Sequence, residues 1–223
     1  MASAVRKTNW FAIWVSVAAV VVLVAVTGIV IAINNAASGP GAEPSGKIVD
    51  TAAGAVVFGD GDNTIDTYVD FLCPICNQFE QSEGSTIKQL VDEGKATLKV
   101  HPVSILDTRT SPAGYSSRAG GAFLAVAAAD PDHAYAYMEA LFANQPAEGS
   151  AGLTSAQLVD IAKNAGVTMT GDLEKAITSD RYQKFVQAQQ LPDGSRGTPT
   201  LLVNGTMINV TMNPETDITA NLK

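Results

Sequence analysis

Cys73 and Cys76 are the only cysteines in this 223-residue chain, and they frame the tetrapeptide Cys73-Pro74-Ile75-Cys76. A strand-like run, Ile65 to Phe71, leads into the pair, and a helix-like run, Gln78 to Glu93, leads away from it. A thiol at a helix N-terminus faces the positive end of the macrodipole, which favours its thiolate and lowers its pKa. A second thiol one turn along the same helix can close a disulfide with the first. This is the layout of a dithiol redox centre. Cys73, nearest the exposed helix end, is expected to be the attacking sulfur, and Cys76 the buried resolving thiol. Pro74 suits the first helical position, and Ile75 presents an apolar surface beside the sulfur.

Two other uses of the pair compete. A structural staple closing so small a loop contributes only roughly 2 kcal/mol in the chain-entropy account. A zinc site needs four ligands, and beyond the cysteines the chain offers only His101 and His133, without finger-like spacing. His101, before Pro102, is expected to be structural or on the surface, and His133, after Asp130-Pro131-Asp132, to be solvated.

A second feature is Gly197-Thr198-Pro199-Thr200, just before the strand-like Leu201-Leu202-Val203. A proline opening an edge strand explains it in one way. A cis Thr198–Pro199 bond, turning the chain and presenting the Thr198 backbone to a passing peptide, explains it in another.

The elements that must position these groups are legible in outline. Ala55 to Phe58 reads as a strand. Ile65, Thr67, Val69 and Phe71 alternate with Asp66, Tyr68 and Asp70 at strand period, and Ala96 to Val103 reads as another strand. From about residue 106 to 190 the pattern is helical, with a capping box at Thr154-Ser155-Ala156-Gln157. Asn204-Gly205 between two apolar runs signals a hairpin, and Pro214 to Lys223 can form a short final helix. The order is two strands, a helix, a strand, a helical block, two strands and a helix. That order implies an α/β fold: one central sheet around a helical insertion far longer than an ordinary connection.

The N-terminus adds a membrane expectation. Residues 10–33 carry no charge and are almost wholly apolar, enough to span a bilayer as a helix. Arg6 and Lys7 precede them and no Lys or Arg follows until Lys47, so residues 1–9 are expected in the cytoplasm and the remainder outside. A cleaved signal peptide is the competing reading, although the run is long for one and lacks a clean Ala-x-Ala site. Residues 34–47 are small and polar with Pro and Gly, as in a flexible linker, and residues 48–223 are expected to fold. The formal net charge is −8 and the two cations of the tail lie before the apolar run. An acidic folded part without a basic cluster argues against nucleic acid as a partner.

Asp70-Phe71-Leu72-Cys73-Pro74-Ile75-Cys76 with Phe79, and Gly197-Thr198-Pro199-Thr200 with the strand and Asn204-Gly205 that follow, resemble the extracytoplasmic DsbA-type thiol:disulfide oxidoreductases, most closely the membrane-anchored members of high-GC Gram-positive bacteria. The resemblance implies a thioredoxin fold with an inserted all-helical domain, here preceded by one transmembrane helix. It implies Cys73 as nucleophile, Cys76 as resolving thiol, and Thr198 and Pro199 as the cis-proline element of a substrate groove that Pro74 and Ile75 adjoin. It also implies unfolded or reduced exported polypeptides as substrates, a quinone-linked membrane oxidase as recycling partner, and no further cofactor. Two departures stand out. Many relatives hold a buried carboxylate six positions before the nucleophile, where this chain has Thr67, with Asp66 beside it on the opposite strand face. Some carry His where this chain has Ile75, which cannot donate to a thiolate. The expected function is introduction of disulfides into exported proteins. The alternatives are a reductase or isomerase on the same fold, and a membrane-tethered binding or chaperone module whose cysteine pair is only a staple.

Overall fold

The computed structural model describes residues 10–38 and 41–223, and the chain divides into two units, residues 1–39 and 40–223. The expected cytoplasmic tail, residues 1–9, lies outside the described residues. The first unit is one helix, α1 (Trp10–Ser38). Its window Ile13–Val30 is long and apolar enough to cross a membrane, with a mean hydropathy of 2.7. The helix outlasts the apolar run that ends at residue 33, because Asn34-Asn35-Ala36-Ala37-Ser38 contains neither glycine nor proline; beyond the run these first come at 39 and 40. The expected linker is thereby shortened at its start. It is shortened at its end too: Pro44 is buried, its carbonyl accepts a bond from the Thr51 hydroxyl, and Gly46 bridges to Val49.

The second unit is built on a six-stranded sheet in the order β1-β2-β4-β3-β5-β6. Its strands are β1 (Val49–Asp50), β2 (Ala55–Phe58), β3 (Asn63–Val69), β4 (Ala96–Pro102), β5 (Thr200–Val203) and β6 (Thr206–Ile208). The central strand β3 alternates buried and half-buried residues along its length, as the period-two pattern predicts. It pairs parallel to β4, with Thr67 opposite Val100, and antiparallel to β5, with Thr67 opposite Leu201. A parallel neighbour requires a crossover, and the crossover is α2 (Pro74–Asp92), the helix that carries the cysteine pair. The turn between β5 and β6 has positive φ at both Asn204 (51°) and Gly205 (78°), the mirror-image turn that suits the twist of a hairpin. The Asn204 side chain then bonds Asn63, Thr64 and Asn221, tying the hairpin to the start of β3 and to the C-terminus.

Between β4 and β5 lie α3 (Tyr115–Ala129), α4 (Ala134–Ala143), α5 (Ser155–Asn164), α6 (Gly171–Thr178) and α7 (Gln183–Ala188); α8 (Pro214–Asp217) follows the hairpin. Thr154 caps α5 through the reciprocal capping box read from the sequence. The small residues of α3 let it pack closely: nearly the whole helix from Tyr115 to Ala127 is buried. The core is continuous from the sheet into this helical block. Phe71, just before the cysteines, meets Phe142 of α4 at 5.0 Å between ring centroids and Phe123 of α3 at 5.7 Å. The insertion therefore forms part of the floor beneath the cysteine pair.

Candidate active site

β3 ends at Val69, three residues bridge to Cys73, and α2 starts at Pro74 rather than at the expected Gln78. Pro74 occupies the first helical position, and Cys73 is the N-cap residue, with extended backbone angles and no side-chain cap bond of its own. The Cys73 sulfur is thus free to face the unpaired amides of the first helical turn. Both thiols are reduced. Cys73 keeps 6% of its surface and Cys76 none. The nucleophile is less open than a residue at an exposed helix end, because Thr198–Pro199 closes over it. That peptide bond is cis, and the Cys73 thiol donates to the Thr198 carbonyl at 3.4 Å. Gly197, just before, sits at φ 150°, a backbone that a side chain would oppose.

The electrostatics separate the two sulfurs. The Cys73 thiol is lowered to about 6, first by a hydrogen bond from the Cys76 thiol, then by the Thr198 side chain and the amides of Cys76 and Ile75, against the opposing effect of burial. The Thr198 hydroxyl is buried and acts on both sulfurs. The Cys76 thiol is pushed well up, first by its burial and then by its bond to Cys73. These opposite shifts favour a thiolate on Cys73 and a retained proton on Cys76.

Other expected residues fall as follows. Ile75 is 46% exposed and, with Thr198 and Pro199, lines an open groove of about 500 Å³ that also meets Arg196, Met207 and Val210. Pro74 is exposed at the helix start and is not among the groove-lining residues. Thr67 is buried on β3, while Asp66 points away and accepts from His101, as their alternation requires. His101 is buried: its other ring nitrogen meets the Ala53 carbonyl and its ring stacks on Tyr68 at 4.1 Å. His133 is half-exposed and bonds Asp130. Among the described residues no cluster of three or more His, Cys, Asp or Glu could hold a metal.

Asp70, which opens the cysteine motif but carries no expected role there, and Gln145, which no motif includes, both grip the loop that carries Cys73. Asp70 is fully buried; its carboxylate accepts from the amides of Leu72 and Leu106, both at 2.9 Å, and burial pushes its pKa up to about 6. Gln145, just beyond α4, donates to the carbonyls of Phe71 and Cys73. Their one-dimensional signal is weak. Asp70 sits where β3's alternation would turn it outward, and Gln145 is a polar residue in a connection.

A dithiol with one acidic sulfur at a helix N-cap, facing a cis-proline loop on a sheet interrupted by helices, defines a thioredoxin-fold thiol–disulfide oxidoreductase acting by dithiol–disulfide exchange. The family model described as thioredoxin matches residues 53–219, and the chain belongs to that family. Within it the chain is of the DsbA type. Reduced DsbA of Mycobacterium tuberculosis superposes with a TM-score of 0.64 at 30% identity, over 71% of this chain and 86% of that one. The reduced disulfide bond oxidoreductase DsbG of the same organism superposes with a TM-score of 0.64 at 32% identity, over 73% and 85%. Among curated proteins, serine/threonine-protein kinase PknE of Mycobacterium tuberculosis is 32% identical over 111 residues, which is 48% of this chain and 20% of the kinase. The chain thus matches about a fifth of the length of those curated relatives.

Proposed function

We propose that this protein is a membrane-anchored, extracytoplasmic oxidase that introduces disulfides into exported polypeptides, with Cys73 as nucleophile and Cys76 as resolving thiol. The observation that carries the direction of electron flow is the stabilised Cys73 thiolate: what stabilises the reduced form of a dithiol makes its disulfide more oxidising.

In the oxidised enzyme a substrate thiolate attacks the Cys73 sulfur. The Cys73–Cys76 bond breaks, its electron pair leaves on Cys76, and Cys76, whose pKa is raised, takes up a proton. A second substrate thiolate then attacks the substrate sulfur of the mixed disulfide. Cys73 departs as a thiolate, a good leaving group because of its low pKa. Two electrons pass from two substrate thiols to the enzyme pair. The Thr198 carbonyl, the Ile75 side chain and the apolar lining of the groove support binding of extended peptide by backbone bonds and loose apolar contact. Recycling then needs an electron acceptor, which the resemblance gives as a quinone-linked membrane oxidase. The apolar α1 with Arg6 and Lys7 before it supports an anchor whose N-terminus is cytoplasmic and whose folded unit is outside.

The test is equilibration of the purified protein with glutathione buffers, together with oxidation of a reduced model protein. An oxidising equilibrium, and loss of oxidation in Cys73→Ser, support the assignment. A potential near that of thioredoxin, about −270 mV, would reverse the direction to a reductase, and full activity in Cys73→Ser would remove Cys73 from the reaction.

A further inference from the structure

The turn that presents Cys73 is held from outside, by the helical insertion. Cys73 caps α2 without a conventional side-chain cap bond, so its sulfur alone does not fix the first helical turn. The Gln145 carboxamide does so instead. Its nitrogen donates at 3.0 Å to the carbonyl of Phe71 and at 3.0 Å to the carbonyl of Cys73. Its oxygen takes a long bond of 3.5 Å from the Asn77 side chain, which also donates to the Phe142 carbonyl. Both amide protons of Gln145 are therefore spent on the two carbonyls that flank Leu72. The Cys73 carbonyl is shared between Gln145 and the first backbone bond of α2, from the Asn77 amide at 3.2 Å.

This clamp has a chemical consequence. The amides of Ile75 and Cys76 reach the Cys73 sulfur only while the Cys73 peptide plane keeps its orientation relative to the first turn of α2. That plane contains the carbonyl that Gln145 grips. We propose that Gln145 is a positioning residue for the Cys73 thiolate, contributed by the helical insertion, and that it sets how oxidising the dithiol is. Asp70 holds the donor side of the same loop through the Leu72 amide, and its own carbonyl accepts from the Cys73 amide, so the loop is gripped on both its donors and its acceptors. The role of Gln145 reaches the sulfur only through backbone, and it rests on the proposed exchange chemistry at Cys73.

The experiment replaces Gln145 with Met, similar in length but without a donor, in the full-length protein. It follows the thiolate absorbance of Cys73 against pH and the equilibrium with glutathione. The expected result is a titration midpoint moved upward and an equilibrium constant about three- to tenfold less oxidising, on the scale of one lost polar contact near a charge. Gln145→Asn keeps the amide but is one methylene too short to reach both carbonyls. It is expected to shift both quantities in the same direction, and it carries the test should Gln145→Met not fold. A midpoint and an equilibrium constant both within twofold of the parent in a folded variant would overturn the assignment of Gln145. An ordinary thiol titration in the parent protein itself would instead overturn the exchange reading on which it rests.

Discussion

The Cys73 sulfur and the Thr198 carbonyl oxygen lie 3.4 Å apart although 125 residues separate them in the chain. The whole helical insertion is looped out between these two contacts. Thr198 brings a carbonyl that can meet a peptide and a buried hydroxyl that can meet a thiolate.

Removing that hydroxyl while keeping the side-chain shape isolates its effect on the sulfur. Thr198→Val is expected to raise the Cys73 titration midpoint and to make the dithiol about three- to tenfold less oxidising, as a lost bond to a charged group implies. Glutathione equilibration of parent and variant measures it directly.

The depressed Cys73 pKa fixes the pH dependence of the reduced form. The folded thiol titrates at about 6, below the ordinary value of 9.0, so the reduced protein holds fewer protons folded than unfolded between those values. Its stability relative to the oxidised protein should therefore grow as pH rises from 5 to 8, by about 2 kcal/mol, and vanish as pH falls through 6. Carboxylates remote from Cys73 cancel in the difference, whereas Asp70, which the Cys73 charge raises, does not cancel fully. Denaturant unfolding of the two forms across this range is the check.

Glu83 and Asp217 give the opposite slope. Both are fully buried, one on α2 and one on α8, and neither Glu83 oxygen has a hydrogen-bond donor. Asp217 is spent on the amides of Thr211 and Met212 and the Thr211 hydroxyl, so it cannot supply one. Burial first, then the Asp217 charge, push Glu83 up to about 7 from an ordinary 4.5. A raised carboxyl pKa means that the folded state holds the extra proton, so stability falls as pH rises from about 4.5 to 7. Glu83→Gln, neutral at every pH, should be about 1–3 kcal/mol more stable than the parent at pH 8 and close to it at pH 5. A slope in the same direction should persist from Glu80, raised to about 7 by its own burial and by Glu139.

Ile75 sits on the surface beside the thiolate and supplies only its amide. Ile75→His adds a donor, and near neutrality a partial positive charge, at little packing cost. The dithiol should become about three- to tenfold more oxidising below pH 7, with a smaller gain at pH 8 as the imidazole loses its charge. The ratio of variant to parent equilibrium constants at the two pH values reads it out.

The sequence carried the chemistry more openly than the support for it. Cys73, Cys76 and the Thr198-Pro199 pair are local strings whose roles follow from residue type. The central strand β3 alternates visibly because one of its faces is fully buried. Asp70 and Gln145 were illegible for the converse reason. Leu106, the far partner of Asp70, is 36 residues away, and the carbonyl partners of Gln145 are 74 and 72 residues away. A bond to a backbone group leaves no trace in the type of the partner residue. Glu83 had left a signal: it falls between Phe79 and Ile87 at helical spacing on the buried face of α2, where a charge has no business without a partner. His101 misled in one respect. Position beside a proline at a strand end allowed a surface role, whereas Asp66 and the Ala53 carbonyl hold it inside.

The most direct test of the account is the rate of Cys73 alkylation against pH in the reduced protein, with Cys76 followed by mass spectrometry. The account predicts one reactive sulfur, Cys73, with a midpoint near 6, and a Cys76 that stays unmodified while the protein is folded. A Cys73 midpoint in the ordinary thiol range, or two sulfurs equally sealed from the reagent, would contradict it.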